Sequence, residues 1–163
     1  MITALKITDQ NDGSVASCSL DGTVIFWQLE SPNRTLRKVK VVSIPGCENG
    51  IIDMDYLTDS NSLGVLDLNR KLHFFSLDSG SVTLSIEAAY DGNLTSISYN
   101  CLRNEVAVVD EAGEIKVFST RDGKMLYLNQ QNHARPITAI RYSPDGTRLV
   151  TGDSEGKLLI WRV

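Results

Sequence analysis

Short runs in which apolar and polar positions alternate recur along the whole chain, and they recur in threes. In the C-terminal stretch, ITAIRY alternates up to the turn signal SPDG, RLVTG runs apolar into an acidic turn, and KLLIW closes on an aromatic. Alternation of period two marks half-buried strands, and the Gly, Asp, Asn and Pro clusters mark chain reversals. The pattern therefore predicts a three-stranded antiparallel meander. The same triplet appears upstream as ITALKI, VASCS and TVIFWQL, as IIDMDY, LGVLDL and KLHFFSL, and as LTSISY, EVAVVD and EIKVFST. The closing aromatics Trp27, Phe75, Phe118 and Trp161 are spaced by 48, 43 and 43 residues, and the openings Ile2, Ile51, Leu94 and Ile137 by 49, 43 and 43. Two markers agree on one period, so the chain reads as four tandem units. VKVVSI, SVTLSIEA and the stretch RDGKMLYLNQQ add a fourth strand after each of the first three units. No stretch shows a convincing helical period.

These units resemble the WD-repeat family of β-propellers, whose repeats run about 40–45 residues. The most specific residues are SLDGTVIFW of Ser19 to Trp27, and Asn132 and His133 with Trp161; the resemblance covers essentially the whole chain. It implies an all-β fold, a WD-repeat β-propeller segment of four consecutive blades, each a four-stranded antiparallel sheet, with the last blade lacking its outer strand. The blades span about 1–45, about 46–88, about 89–131 and about 132–163, in one domain. The resemblance also implies a structural hydrogen-bond chain within a blade: a His in the loop leading into it, a Ser or Thr in its second strand, an Asp in its second hairpin turn, and the closing Trp. Carried over by position, blade one supplies Ser17, Asp21 and Trp27. Blade four supplies His133, Thr151 and Trp161, with Glu155 where Asp is usual. Blade two has Val65, Asn69 and Phe75 at these places and blade three has Val108, Ala112 and Phe118, so both are expected to rely on packing of Phe74, Phe75 and Phe118 instead.

Composition narrows the function classes. The 163 residues are 42% hydrophobic and 22% charged, a globular balance. No run approaches the roughly 18 apolar residues of a membrane helix, so no membrane insertion is expected. The net charge of −4 argues against a nucleic-acid partner, whose binding rests on clustered Lys and Arg. Cys18, Cys47 and Cys101 are odd in number and scattered. That favours a reducing compartment: the cytoplasm, with the nucleus as second candidate. An enzyme finds little to use. The two histidines, His73 and His133, lie far apart, and the metal, nucleophile-elbow, phosphate-loop and dinucleotide motifs are missing from the sequence. The aspartates sit mostly in turns, where their side chains bind backbone. We therefore expect no cofactor, no metal and no catalysis. A phosphoinositide-binding propeller would carry a Phe-Arg-Arg-Gly signature, which this sequence lacks.

A propeller serves as a rigid platform whose loops carry recognition. The lead-in loops and second hairpin turns are expected to share one rim, where the strongest partner-binding candidates are Arg135, then Asn49, Tyr90, Asn93 and Asn132. Arg and Tyr are the anchor types enriched at interfaces; the plainer reading of each is a solvated loop residue. Arg34, Arg37, Lys38 and Lys40 offer a patch for an anionic ligand; the plainer and favoured reading is the charges of a solvated edge strand, which discourage edge-to-edge pairing. Asp53 stands where the other units have Ala4, Ser96 and Ala139. It is either a channel-facing ligand group, which would make this a propeller enzyme or small-ligand sensor, or a carboxylate paired to a neighbour. Asp55 matches charged Lys6 and Arg141. Fifteen strands would leave apolar faces bare at both ends (Ile2, Leu5 and Ile7; Leu158, Ile160 and Trp161), which calls for a partner. The leading expectation is the C-terminal portion of a larger propeller, whose remaining blades cover these faces, with Met1 then a gene-model start. The rival is a second copy of the chain. The function expected is a protein–protein interaction scaffold or complex subunit.

Overall fold

A computed structural model describes residues 1–9, 14–30, 35–87, 92–129 and 133–163. The loop DQNDG of Asp9 to Gly13, apart from Asp9, and the turn at Ser31 to Asn33 lie outside those residues. The described residues form fifteen strands: β1 (Ile2–Asp9), β2 (Ser14–Ser19), β3 (Thr23–Glu30), β4 (Thr35–Ser43), β5 (Ile51–Leu57), β6 (Ser62–Asp67), β7 (Lys71–Ser76), β8 (Ser81–Glu87), β9 (Leu94–Asn100), β10 (Glu105–Asp110), β11 (Ile115–Ser119), β12 (Met125–Asn129), β13 (Ile137–Tyr142), β14 (Arg148–Asp153) and β15 (Leu158–Arg162). They pair antiparallel, in chain order, as four sheets: β1–β4, β5–β8, β9–β12 and the three-stranded β13–β15. The period of the sequence is thus the period of the sheets. No helix among the described residues is long and apolar enough to cross a membrane.

Each sheet buries its faces against the next, giving three cores in series. Ala16, Cys18, Val24, Ile51 and Met54 pack between the first and second sheets. Leu66, Phe74, Leu94, Ile97 and Val108 fill the second gap, and Val109, Ile115, Ile137, Ile140 and Leu149 the third. Strands β6 and β10, in the two middle sheets, are buried along their whole length. An apolar Val65 or Val108 is what such an environment favours over a hydroxyl. Phe74, Phe75 and Phe118 are likewise buried. The end faces differ: Ile2, Leu5 and Ile7 are 59%, 62% and 66% exposed, and Leu158 and Ile160 are 71% and 66% exposed. Trp161 departs from that expectation, because its ring packs onto the third core. All three cysteines are free thiols, with Cys18 and Cys47 buried and Cys101 exposed. On β4, Arg37 pairs with Glu30 (2.7 Å) and the strand is largely exposed, as an edge strand is.

The innermost strands β1, β5, β9 and β13 are stitched by side chains that each reach one blade onward. Thr3 Oγ1 donates to the Ile51 carbonyl (2.8 Å), and Thr95 Oγ1 to that of Ile137. Asp55 Oδ2 accepts the Tyr99 N–H (2.8 Å), and Ser98, one period later, accepts that of Tyr142 (3.0 Å). Lys6 closes on Asp55 from the other side (3.4 Å), so this carboxylate links three blades. Its role exceeds that of a charged position among charged positions.

Adjacent blades also meet backbone to backbone. Gly113, in the second hairpin turn of blade three, has φ +87°, and a Cβ there would lie 2.5 Å from the His133 carbonyl oxygen in the loop leading into blade four. Gly22 faces the Cys47 carbonyl in the same way. Left-handed backbone and the missing Cβ are both required. Gly113→Ala is expected to cost about 2–3 kcal/mol, read by urea denaturation.

Candidate functional site: the rim of lead-in loops and hairpin turns

One backbone hydrogen bond recurs in every blade and defines a common rim. The residue after the second strand donates to the loop leading into that blade: Leu20 to Met1 (3.1 Å), Leu68 to Gly50 (3.1 Å), Glu111 to Asn93 (2.9 Å) and Ser154 to Pro136 (3.0 Å). Side chains bridge the same two segments. Asn49 Nδ2 donates to Asn69 Oδ1 (3.1 Å), Asn93 Nδ2 to Glu111 Oε2 (2.9 Å), and Arg135 Nε pairs with Glu155 Oε1 (2.8 Å). These three candidates are thus exposed side chains already held in one orientation on one rim. Tyr90 and Asn132 lie outside the described residues.

Beneath the rim of blade four runs a buried chain of polar groups. His133 Nδ1 lies 2.9 Å from Asp153 Oδ2, and its Nε2 lies 2.8 Å from Thr151 Oγ1. Trp161 Nε1 donates to Thr151 Oγ1 (3.0 Å). One proton arrangement satisfies all of it: Nδ1–H donates to the carboxylate, Thr151 donates to Nε2, and the indole donates to Thr151. Such a chain, connected and buried, fixes strand against loop. The acid is Asp153 and not Glu155, which corrects the positional expectation. Asp153 sits under the turn, where Oδ1 also accepts the N–H groups of Glu155 (3.1 Å) and Lys157 (3.0 Å). Glu155 points outward to Arg135. The His133 hydrogen bond holds the Asp153 carboxyl below the usual carboxylate range.

A signal for this was present in the sequence. Asp67, Asp110 and Asp153 recur at 43-residue steps. Each uses Oδ1 to accept the N–H four residues on, from Lys71 (2.7 Å), Glu114 (2.8 Å) and Lys157 (3.0 Å). Blade one has Ser19 at that place. Its Trp27 Nε1 donates to Ser17 Oγ (2.8 Å), but Asp21 is an exposed turn residue bound to Thr23 N (3.0 Å), apart from that pair. In blade three, burial pushes the Asp110 carboxyl up, Glu114 adding to the effect. Blade two rebuilds a His–Asp contact from another strand: His73 on β7 sets Nε2 at 3.2 Å from Asp67 Oδ2 and Nδ1 at 2.8 Å from Ser85 Oγ. Burial alone would raise Asp67, yet His73 and the Lys71 N–H hold it low.

Asp53, the other candidate, is 7% exposed. It accepts the N–H of Met54 (2.9 Å), the Ser96 hydroxyl (2.8 Å) and the N–H of Ile97 (3.0 Å). Its carboxylate joins blade two to blade three.

Four meander sheets in chain order, stitched along their inner strands and carrying a His–Asp–Thr–Trp chain, define a WD-repeat β-propeller segment. A family model described as WD domain, G-beta repeat, matches residues 2–28. The model of the IFT140 first beta-propeller matches residues 53–163, and the chain belongs to that family. Among similar proteins, Cilia- and flagella-associated protein 52 of Sus scrofa is 25% identical over 73 residues, 44% of this chain and 12% of that protein. Actin-interacting protein 1 of Drosophila melanogaster is 21% identical over 106 residues, 64% of this chain and 17% of its own length. The Periodic tryptophan protein 2 homolog of Mus musculus is 27% identical over 114 residues, 63% of this chain and 12% of its own. The chain therefore spans less than a fifth of the length of these relatives.

Proposed function

We propose that this chain is part of a non-catalytic interaction scaffold that binds protein partners through its rim. The observation that carries the reading is the set of bridges Asn49–Asn69, Asn93–Glu111 and Arg135–Glu155, which present polar side chains pre-ordered at the surface. Side chains already fixed lose less entropy on binding, and Arg is a preferred anchor. Membership of a WD-repeat family supports the reading, as do relatives whose names speak of association with cilia or interaction with actin. The engaged carboxylate of Asp53 counts against a ligand site in the channel. The bare faces at Ile2, Leu5 and Ile7 and at Leu158 and Ile160 are read as seats for further propeller blades.

The test is quantitative co-purification of bound proteins with the wild-type chain and with Arg135→Glu. The variant places two carboxylates together at the rim and leaves the buried chain untouched. Recovery of the specific partners is expected to fall about tenfold or more, at unchanged circular dichroism. An unchanged set of partners would reject the rim as the binding surface. Light scattering addresses the bare faces: a discrete dimer would assign them to a second copy instead of further blades.

A further inference from the structure

The rim of blade two gathers three metal-binding side chains of different chemistry. Cys47 stands in the lead-in loop at the place of His133, two 43-residue periods earlier, and Asp67 stands at the place of Asp153. His73 reaches the same point from β7. One ligand atom from each of Cys47, Asp67 and His73 lies within 4.8 Å of the other two, and all three residues are buried. The hydroxyl and indole that complete the chain in blade four are replaced by Val65 and Phe75. The Cys47 thiol makes no hydrogen bond among the described residues. His73 Nδ1 faces Ser85 Oγ at 2.8 Å, the kind of outer partner that orients a ligating imidazole. Gly46 leaves the ring room, since a Cβ there would lie 3.3 Å from His73 Cε1.

We propose that Cys47, Asp67 and His73 form a binding site for a zinc ion. Thiolate, imidazole and carboxylate together suit zinc, and the sulfur and nitrogen ligands disfavour calcium and magnesium. Bonds of about 2.0–2.3 Å in tetrahedral array place ligand atoms about 3.3–3.5 Å apart. His73 Nε2 and Asp67 Oδ2, 3.2 Å apart, already meet that spacing, and the Cys47 sulfur needs to close in by at most about 1 Å. A thiolate and a carboxylate balance the two positive charges, which suits a buried site. On binding, the Cys47 thiol gives its proton to solvent. His73 offers its Nε2 lone pair while its single proton resides on Nδ1 and is donated to Ser85 Oγ. The fourth position falls to water or to Glu48, whose carboxylate lies close enough to act electrostatically on both Cys47 and His73. The ion would pin the lead-in loop of blade two to its hairpin turn, as the His133–Asp153 bond does in blade four. The separation of 20 and 6 residues between the ligands matches no metal motif, which is why the sequence alone did not suggest it.

The test is titration of the metal-free 163-residue chain with cobalt(II), followed by displacement with zinc. The site predicts one equivalent bound with a thiolate-to-cobalt charge-transfer band, and a melting temperature raised by about 5 °C or more in excess zinc. The band should vanish in Cys47→Ala and weaken at least tenfold in His73→Gln, and persist in Cys101→Ser. A folded wild-type chain with no thiolate band would overturn the proposal without reference to any variant. A band surviving Cys47→Ala would overturn it too.

Discussion

Asp153→Ala is expected to lower the melting temperature by about 8 °C, whereas Glu155→Ala should lower it by less than about 2 °C. The two residues are two positions apart in one turn, and the usual family position for the acid is that of Glu155. The difference follows from what each carboxylate touches. Asp153 is the partner of a buried imidazole and of two backbone N–H groups. Removing it leaves the buried imidazole without its acceptor and takes a partner from two amides of the turn. Glu155 makes an exposed ion pair with Arg135, a class of contact that adds little to stability. The same residue sets a pH dependence. The Asp153 carboxyl is held below its unfolded value, so its contribution is complete above the ordinary carboxylate range and is lost as pH falls through the folded value. Unfolding midpoints should therefore drop below about pH 4, and less steeply in Asp153→Asn. Equal losses from Asp153→Ala and Glu155→Ala would show that the acid of the chain has been misassigned.

Asp53→Ala is expected to destabilise the chain by about 3 kcal/mol in urea denaturation. The carboxylate accepts from the Ser96 hydroxyl and the Ile97 N–H, both on the next blade, and truncation strands these donors in a buried seam. If Asp53 were instead a ligand group facing the channel, the substitution would leave stability nearly unchanged and alter only a binding or turnover assay. The assay of stability therefore separates strut from site.

The repeat and the antiparallel sheets were legible because they rest on local properties. Alternation at Ile137 to Tyr142, turn signals such as PDG and the spacing of Trp27, Phe75, Phe118 and Trp161 can all be counted. The shared rim was legible too, since any hairpin meander brings its lead-in loop beside its second turn. The acid of blade four was legible only in part: the family position points to Glu155, the 43-residue recurrence of Asp67, Asp110 and Asp153 points to Asp153, and the depth of the turn decides between them. His73 was missed for a related reason. It lies on a third strand, whereas the positional pattern looks for a histidine in the lead-in loop. Asp53 was singled out by its substitution for small residues, but its partners are 43 and 44 residues away along the chain. No local pattern carries that register.

The chain repeats one sheet four times and closes each copy at the same rim with the same backbone bond. Hydrogen exchange at single-amide resolution tests it at Leu68, Glu111 and Ser154, whose N–H groups donate to Gly50, Asn93 and Pro136. The repeat predicts that all three are protected to a similar degree, well beyond an exposed turn amide such as that of Asp78. Free exchange at these amides, or protection at one with rapid exchange at the other two, would contradict it.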